Sequence, residues 1–337
     1  MKVAVYSTKP YDQRFLEAAN ARAGHELLFL EDRLNPRTAT LSGVAEAVCA
    51  FVNDDLSAAT LQVLAKQGVK LIALRCAGFN QVDLKAAEAL GISVRRVPAY
   101  SPYAVAEFTI GLMLTLSRKY HRAFNRVREG NFGIDGLLGF DLHGRTVGIV
   151  GTGKIGVLTA KPLAAMGCRL LGFDPFRSEE FTKLGGEYVA FEELLTRADI
   201  ISLHCPLTPE SYHLFNAETL ARTKPGVMIV NTSRGALIDA AEMVEALKRG
   251  QVGFLGIDVY EQEADIFYED LSGEILQDDV LQRLLTFPNV LVTSHQAYFT
   301  DTALQNIAET TVANLDDFVG GRASGNEVKA EKIHGAR

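Results

Sequence analysis

The chain has 337 residues, more than a single hydrophobic core usually supports, so two domains are expected. With 47% apolar and 22% charged residues it reads as a globular protein, and its longest apolar run, around Phe108 to Leu116, is far too short to span a bilayer, so no membrane partner is expected. The net charge of −7 is spread without basic runs, which argues against nucleic acid as a partner and means that any site for a small anion must supply its own cation.

Cys49, Cys76, Cys168 and Cys205 are widely spaced and form no CxxC pair, so buried free thiols are expected and no metal site. The opening MKVAVYSTKP lacks a secretory design, and a cytoplasmic location is expected.

In chain order, short aliphatic runs alternate with helical segments, the pattern of parallel βαβ units. Strands are predicted at Val3 to Tyr6, Glu26 to Leu30, Val48 to Val52, Leu71 to Arg75 and Ser93 to Val97, with helices at Leu56 to Lys66 and Leu84 to Leu90. Pro98 and Pro102 punctuate the chain before one long apolar helix from Tyr103 to Arg128, a natural junction between domains. A second series of six strands follows at Thr146 to Val150, Arg169 to Phe173, Ile200 to Leu203, Val227 to Val230, Gly253 to Asp258 and Val290 to Thr293. Six strands with intervening helices fit a doubly wound dinucleotide-binding sheet. A last amphipathic helix, Ala303 to Val319, precedes the polar tail GRASGNEVKAEKIHGAR, expected to be poorly ordered.

GTGKIG follows the first strand of the second series and opens a helix, the context in which a GxGxxG motif carries weight. Gly151 would allow the tight turn, Gly153 the approach of a pyrophosphate, and Gly156 close packing of helix on strand. Asp174 ends the next strand at the spacing where an acid accepts hydrogen bonds from ribose hydroxyls, and its charge disfavours a 2′-phosphate, so NAD is the expected cofactor, with Arg177 as a partial offset.

Ligands in such sheets sit beyond the carboxyl ends of the strands, and three successive strands of the second series end near Arg234, near Asp258 and Glu263, and near His295. Reduction of a 2-keto acid by hydride requires a grip on the carboxylate, polarisation of the carbonyl and delivery of a proton. An arginine suits the first two and an imidazole the third, with a carboxylate to orient the ring and favour its protonated form. Each residue has a plainer reading: Arg234 as a capping or surface ion-pair arginine, Glu263 as solvated charge, His295 as a backbone-bonded histidine. Glu261, two positions away, competes with Glu263. His25, His121, His143, His204, His213 and His334 are read as structural, with His204 lining the cofactor groove.

Taken together, AFVNDDL, ALRCAGFNQVDL, VPAYSPYAVAE, GTGKIG, DIISLHCPLTPES, KPGVMIVNTSRGALID, GIDVYEQEADIF and NVLVTSHQAYFT resemble the D-isomer-specific 2-hydroxyacid dehydrogenases, most closely their bacterial fermentative D-lactate branch. The resemblance implies a Rossmann NAD-binding domain, residues 100–298, inserted into a flavodoxin-like substrate-binding domain made of residues 1–99 and 299–337. It implies that Arg234 binds substrate, that His295 is the acid/base with Glu263 as partner, and that pyruvate and D-lactate are the substrate pair. Cofactor contacts implied are Lys154, Ile155, Asp174, Cys205, Pro206, Thr232, Ser233, Arg234 and Asp258, with Ser211 where close relatives often carry Asn. Ala77 and Gly78 would hold the substrate carboxylate, Tyr100 would donate a hydroxyl, and Phe51, Tyr298 and Phe299 would border a pocket for a methyl group. A homodimer built through the cofactor domains, or its doubling to a tetramer, is also implied.

Within that family, Glu263 argues against formate dehydrogenases, which carry an amide there. Phosphoglycerate dehydrogenases generally need extra cations for a phosphate. Glyoxylate or hydroxypyruvate reduction and a non-enzymatic NAD-sensing corepressor remain the competing readings.

Overall fold

A computed structural model describes residues 1–330, apart from the side chain of Asp265. The chain divides into two compact units, one of Met1–Ser101 with the segment from Phe299 onward, the other Pro102–Tyr298. Each is built on its own parallel sheet.

In the first unit β1 (Lys2–Val5), α1 (Pro10–Asn20), β2 (Glu26–Phe29), β3 (Ala47–Ala50), α2 (Ala58–Lys66), β4 (Leu71–Leu74), α3 (Leu84–Ala89) and β5 (Ser93–Arg95) give the sheet order β2-β1-β3-β4-β5. This is the flavodoxin-like order, which reverses between β1 and β3. β3 and β4 are buried at every position because helices cover both faces, which is why they read as unbroken apolar runs.

The second unit runs α4 (Pro102–Arg118), α5 (Tyr120–Arg128), β6 (Thr146–Val150), α6 (Lys154–Ala165), β7 (Arg169–Phe173), α7 (Glu179–Lys183), β8 (Glu187–Tyr188), α8 (Phe191–Arg197), β9 (Ile200–Leu203), α9 (Ala217–Ala221), β10 (Val227–Asn231), α10 (Ala240–Lys248), β11 (Val252–Ile257), α11 (Asp279–Thr286) and β12 (Val290–Val292). Its order, β12-β11-β10-β9-β6-β7-β8, is the Rossmann arrangement with one strand added at an edge, and the order reverses between β6 and β9. The last helix, α12 (Asp301–Val319), returns to the first unit, where it packs on α1 and β4. No helix among the described residues is long and apolar enough to cross a membrane.

Four expectations are corrected. The second sheet has seven strands, not six: β8 is two residues long and pairs only with β7, so it leaves no apolar run in the sequence. The single helix expected from Tyr103 to Arg128 is broken at Lys119, which takes φ +55°. The end of α4 is met there by the returning chain, where Phe140 N–H donates to Ser117 O, and beyond the break α5 buries no residue. The tail is ordered as far as residue 330. Val328 N–H donates to Val94 O, Arg96 N–H to Asn326 O, and Arg95 pairs antiparallel with Glu327, so Val328 joins the first core. The tail from residue 331, His334 included, lies outside the described residues. Cys49 and Cys76 are buried free thiols, whereas Cys168 and Cys205, also free, are only partly covered.

Candidate active site

The glycine turn sits where the strand order reverses. Gly151 leaves β6 with φ +93°, and a Cβ there would lie 2.5 Å from Cys205 N and 2.6 Å from the His204 carbonyl carbon, so the turn rests directly on the chain leaving β9. Gly156, in the first turn of α6, would carry a Cβ into the Gly151 carbonyl oxygen. Gly153 differs, because a Cβ there would meet no atom within 4 Å. Its missing side chain leaves open space beside the amides of Lys154 and Ile155, which begin α6. Free amides and the positive end of the helix dipole make that space suitable for a pyrophosphate.

Asp174, just past β7, closes the turn. Its Oδ2 accepts Thr152 N–H at 2.6 Å and its Oδ1 accepts Phe176 N–H at 2.7 Å. An ionised carboxylate offers about four acceptor positions, so two remain for ribose hydroxyls. Arg177 lies over the Tyr188 ring, 5.4 Å from its centroid. The other side of the groove is held by hydroxyl-to-carbonyl bonds, Ser233 Oγ to Cys205 O at 2.7 Å and Ser211 Oγ to Pro206 O at 2.8 Å. Thr232 turns its hydroxyl inward onto Thr109 of α4. Burial above all pushes the Cys205 thiol up to about 11 and the His204 imidazole down to about 4, so both are neutral near pH 7.

Further along the same sheet edge, beyond β11 and β12, His295 and Glu263 meet, with Nδ1 and Oε1 2.7 Å apart. The proton on that bond is assigned to Nδ1, leaving Nε2 without a partner among the described residues. Glu263 is steadied by Tyr260 N–H, which donates to Oε2 at 2.8 Å. Tyr260 is itself anchored through its hydroxyl, which donates to the Asp278 carboxylate, and burial reinforced by Asp278 pushes that hydroxyl's pKa up. His295 has left-handed backbone, φ +52°, held from both sides: its N–H donates to Asp258 O at 2.7 Å, and its carbonyl accepts the Tyr268 hydroxyl at 3.0 Å. The Asp258 carboxylate, wholly buried, accepts from Thr293 Oγ1 at 2.6 Å, Gln296 N–H at 2.9 Å and Ala297 N–H at 2.8 Å. Its side chain therefore secures the loop that carries His295.

Arg234 follows β10. Its Nη1 donates to Ser233 O at 2.7 Å, and no carboxylate pairs with it among the described residues, which removes the ion-pair reading raised by the sequence. The next residue, Gly235, lies so close to Tyr260 C and O and to Glu261 N that no Cβ could fit. The arginine loop is thus seated, backbone against backbone, on the loop that carries Glu263.

Glu261 has a different partner, His213, whose Nε2 lies 2.6 Å from Oε1. His213, read from the sequence as merely structural, has φ +48°, stands 3.5 Å from Asp239, and its N–H donates to Ala236 O. It links the arginine loop to the 260–263 loop. Tyr260, Tyr268 and His213 were not singled out by sequence reasoning; a tyrosine or histidine that supports another loop carries no local pattern. Tyr298 closes the unit, its ring edge-on to His295 with centroids 6.4 Å apart.

In the first unit, Phe51 follows β3 and Ala77 and Gly78 follow β4. Arg75, buried at the end of β4, lies over the Phe51 ring at 4.8 Å, pairs with Asp12 at 3.3 Å and donates to Ser7 O at 2.8 Å. Arg96 Nη1 donates to Ala77 O at 2.8 Å, and Asn306 Nδ2 donates to Tyr100 O at 2.5 Å. Phe299 is half-exposed and packs edge-on against Tyr11.

A doubly wound sheet with a glycine turn at its reversal point defines a dinucleotide-binding α/β protein. Residues 110–297 match the family described as D-isomer specific 2-hydroxyacid dehydrogenase, NAD binding domain. The chain belongs to the D-isomer specific 2-hydroxyacid dehydrogenase family, and its cofactor is NAD. It is 53% identical over 328 residues to the D-lactate dehydrogenase of Escherichia coli, covering 97% of this chain and 100% of that one. The apo-structure of D-lactate dehydrogenase from that organism superposes with a TM-score of 0.90 at 52% identity, covering 97% of this chain and 100% of that one. The pyruvate reductase of Chlamydomonas reinhardtii superposes with a TM-score of 0.92 at 41% identity, covering 97% and 98%.

Proposed function

We propose that the protein is a D-lactate dehydrogenase that interconverts pyruvate and D-lactate, with Arg234, Glu263 and His295 as its catalytic residues. The observation that supports this most directly is the 2.7 Å contact between His295 Nδ1 and Glu263, on the same sheet edge as an arginine without a carboxylate partner. Bound NADH supplies the hydride. The planar fork of Arg234 grips the substrate carboxylate and faces the carbonyl oxygen as negative charge develops there. His295 delivers the Nε2 proton to that oxygen, and in the reverse direction the neutral ring removes it. Glu263 keeps the imidazole oriented and balances the charge it carries before the proton leaves. The same reading assigns the amides of Ala77 and Gly78 and the hydroxyl of Tyr100 to binding the substrate carboxylate, and Phe51, Tyr298 and Phe299 to bordering its methyl group.

The same reading includes a homodimer, or its doubling, formed through the cofactor domain. α5 buries none of its residues, and Tyr120, Phe124 and Val127 on it are exposed, as are Phe132, Ile134 and Leu138 just beyond. Exposed apolar side chains concentrated in one stretch of chain favour a protein contact there. Four free thiols and a soluble metabolite pair favour the cytoplasm as the setting.

Following NADH absorbance with pyruvate, glyoxylate, hydroxypyruvate and 2-ketobutyrate tests the activity. Pyruvate is expected to give the highest kcat/KM. Failure to oxidise NADH with every one of these acids would overturn the enzyme reading in favour of a dinucleotide-sensing module. Light scattering after gel filtration tests the assembly, for which a monomer is the refuting result.

A further inference from the structure

The edge of the second sheet opposite the glycine turn, where β6, β7 and β9 begin, holds a basin that the proposed reaction does not use. It is an open cavity of about 620 Å³ whose walls include Phe140, Arg145, Arg169, Asp199 and Lys224. These cations are far apart in sequence, so the chain shows no basic run, and the parallel sheet brings them together. Arg145 precedes β6 and Arg169 opens β7, with Arg169 N–H donating to Arg145 O at 2.8 Å, while Asp199 N–H donates to Thr146 O at 2.8 Å.

The charges in the basin do not cancel. Both oxygens of Asp199 are already engaged, Oδ1 by Lys224 Nζ and Oδ2 by Thr146 N–H, each at 2.8 Å. Burial works against its ionised form, but those two donors, joined by the charges of Lys224 and Arg145, outweigh it and hold the carboxyl below its ordinary range. Asp141, also on the wall, offers Arg145 Nε only its backbone carbonyl, at 3.4 Å. Arg145 is further fixed over the Phe140 ring, 5.1 Å from its centroid. Neither Arg145 nor Arg169 has a carboxylate within ion-pair distance among the described residues. In a chain of net charge −7, the three cations Arg145, Arg169 and Lys224 against the two carboxylates Asp141 and Asp199 leave this concavity with a positive excess.

We propose that this basin binds a phosphorylated small metabolite whose phosphoryl group bridges Arg145 and Arg169. A guanidinium fork binds phosphate in a bidentate manner, and a phosphate carries enough charge and oxygens to engage two forks, whereas one carboxylate satisfies only one. The cavity also exceeds what inorganic phosphate needs and lies in the range of small-molecule sites. The site is separate from the proposed catalytic residues, so its test stands independently of the D-lactate assignment.

The experiment is calorimetric titration of the NADH-saturated protein, so that the dinucleotide's own phosphate site is filled, at constant ionic strength. The probes are a hexose monophosphate, inorganic phosphate and malonate. The hexose monophosphate is expected to bind once per chain, about ten-fold tighter than either of the others, and Arg145→Gln or Arg169→Gln should each weaken it by about ten-fold. Pyruvate reduction without added phosphate should be unchanged in both variants. Inorganic phosphate binding as tightly as the hexose monophosphate would overturn the organic-ligand assignment. Equal binding of malonate, unchanged affinity in both variants, or no binding of either phosphate would overturn the site itself.

Discussion

The two glycines that flank the start of α6 separate stability from cofactor binding. An alanine at 156 places its methyl against the Gly151 carbonyl and near Ile149 Cγ2 at 3.2 Å, two neighbours fixed by strand and turn. Overpacking of that kind costs about 1–3 kcal/mol. For a unit the size of Pro102–Tyr298 each kcal/mol lowers Tm by roughly 2–4 °C, so Gly156→Ala should melt about 2–12 °C below the parent. An alanine at 153 meets nothing, and its backbone, φ −67° and ψ −168°, is open to any residue. Gly153→Ala should therefore leave Tm unchanged while its methyl occupies the space reserved for the pyrophosphate. The same 1–3 kcal/mol, now charged to the complex, weakens NADH binding by roughly 5- to 150-fold. Differential scanning fluorimetry and NADH fluorescence titration on the two variants read both effects. A Gly153→Ala protein that binds NADH as the parent does would refute the assignment of that space to the cofactor.

Arg234→Gln should lower kcat/KM for pyruvate by about 10²- to 10³-fold, read by steady-state kinetics. Glu263→Gln keeps an acceptor for His295 Nδ1 but removes its charge, and is expected to lower kcat by about 10- to 100-fold with the NADH dissociation constant unchanged; an unaltered kcat would remove Glu263 from the mechanism. His204 is neutral in the fold because burial lowers its pKa from 6.5 to about 4, so the unfolded chain binds the extra proton. Stability should therefore fall as pH drops from 6.5 towards 4, by at most about 3 kcal/mol and less because the ring keeps some contact with solvent. Urea unfolding at neutral pH and at about pH 4.5 should show a smaller drop in His204→Asn than in the parent. Asp174→Ala should weaken NADH binding and narrow the preference over NADPH, which kcat/KM with each coenzyme would measure.

The strands were legible because helices cover both faces of each sheet, and β6, β7 and β9 begin and end where the apolar runs do. The break at Lys119 was not, since no glycine or proline marks it and its cause is the chain returning to Ser117 from more than twenty residues away. The ordered part of the tail escaped for a related reason: its polar composition hides one valine whose backbone bonds β5. At the candidate site the residue pattern could bring Arg234, Glu263 and His295 to one sheet edge but left Glu261 competing, and only the family resemblance pointed to Glu263. The fold distributes them between two histidines, Glu261 to His213 and Glu263 to His295. Tyr268 acts through the backbone carbonyl of the distant His295, and Tyr260 through its own N–H on Glu263 and its hydroxyl on the Asp278 carboxylate, relations that periodicity and spacing do not encode.

Gly235 makes the two halves of the proposed chemistry mechanically inseparable. Because its α-carbon abuts the peptide of Tyr260, any larger side chain there would act as a wedge, prising the guanidinium and the carboxylate–imidazole couple apart in one stroke. A lesion at this silent position would then mimic simultaneous loss of anion grip and proton delivery, although the residue has no functional group of its own.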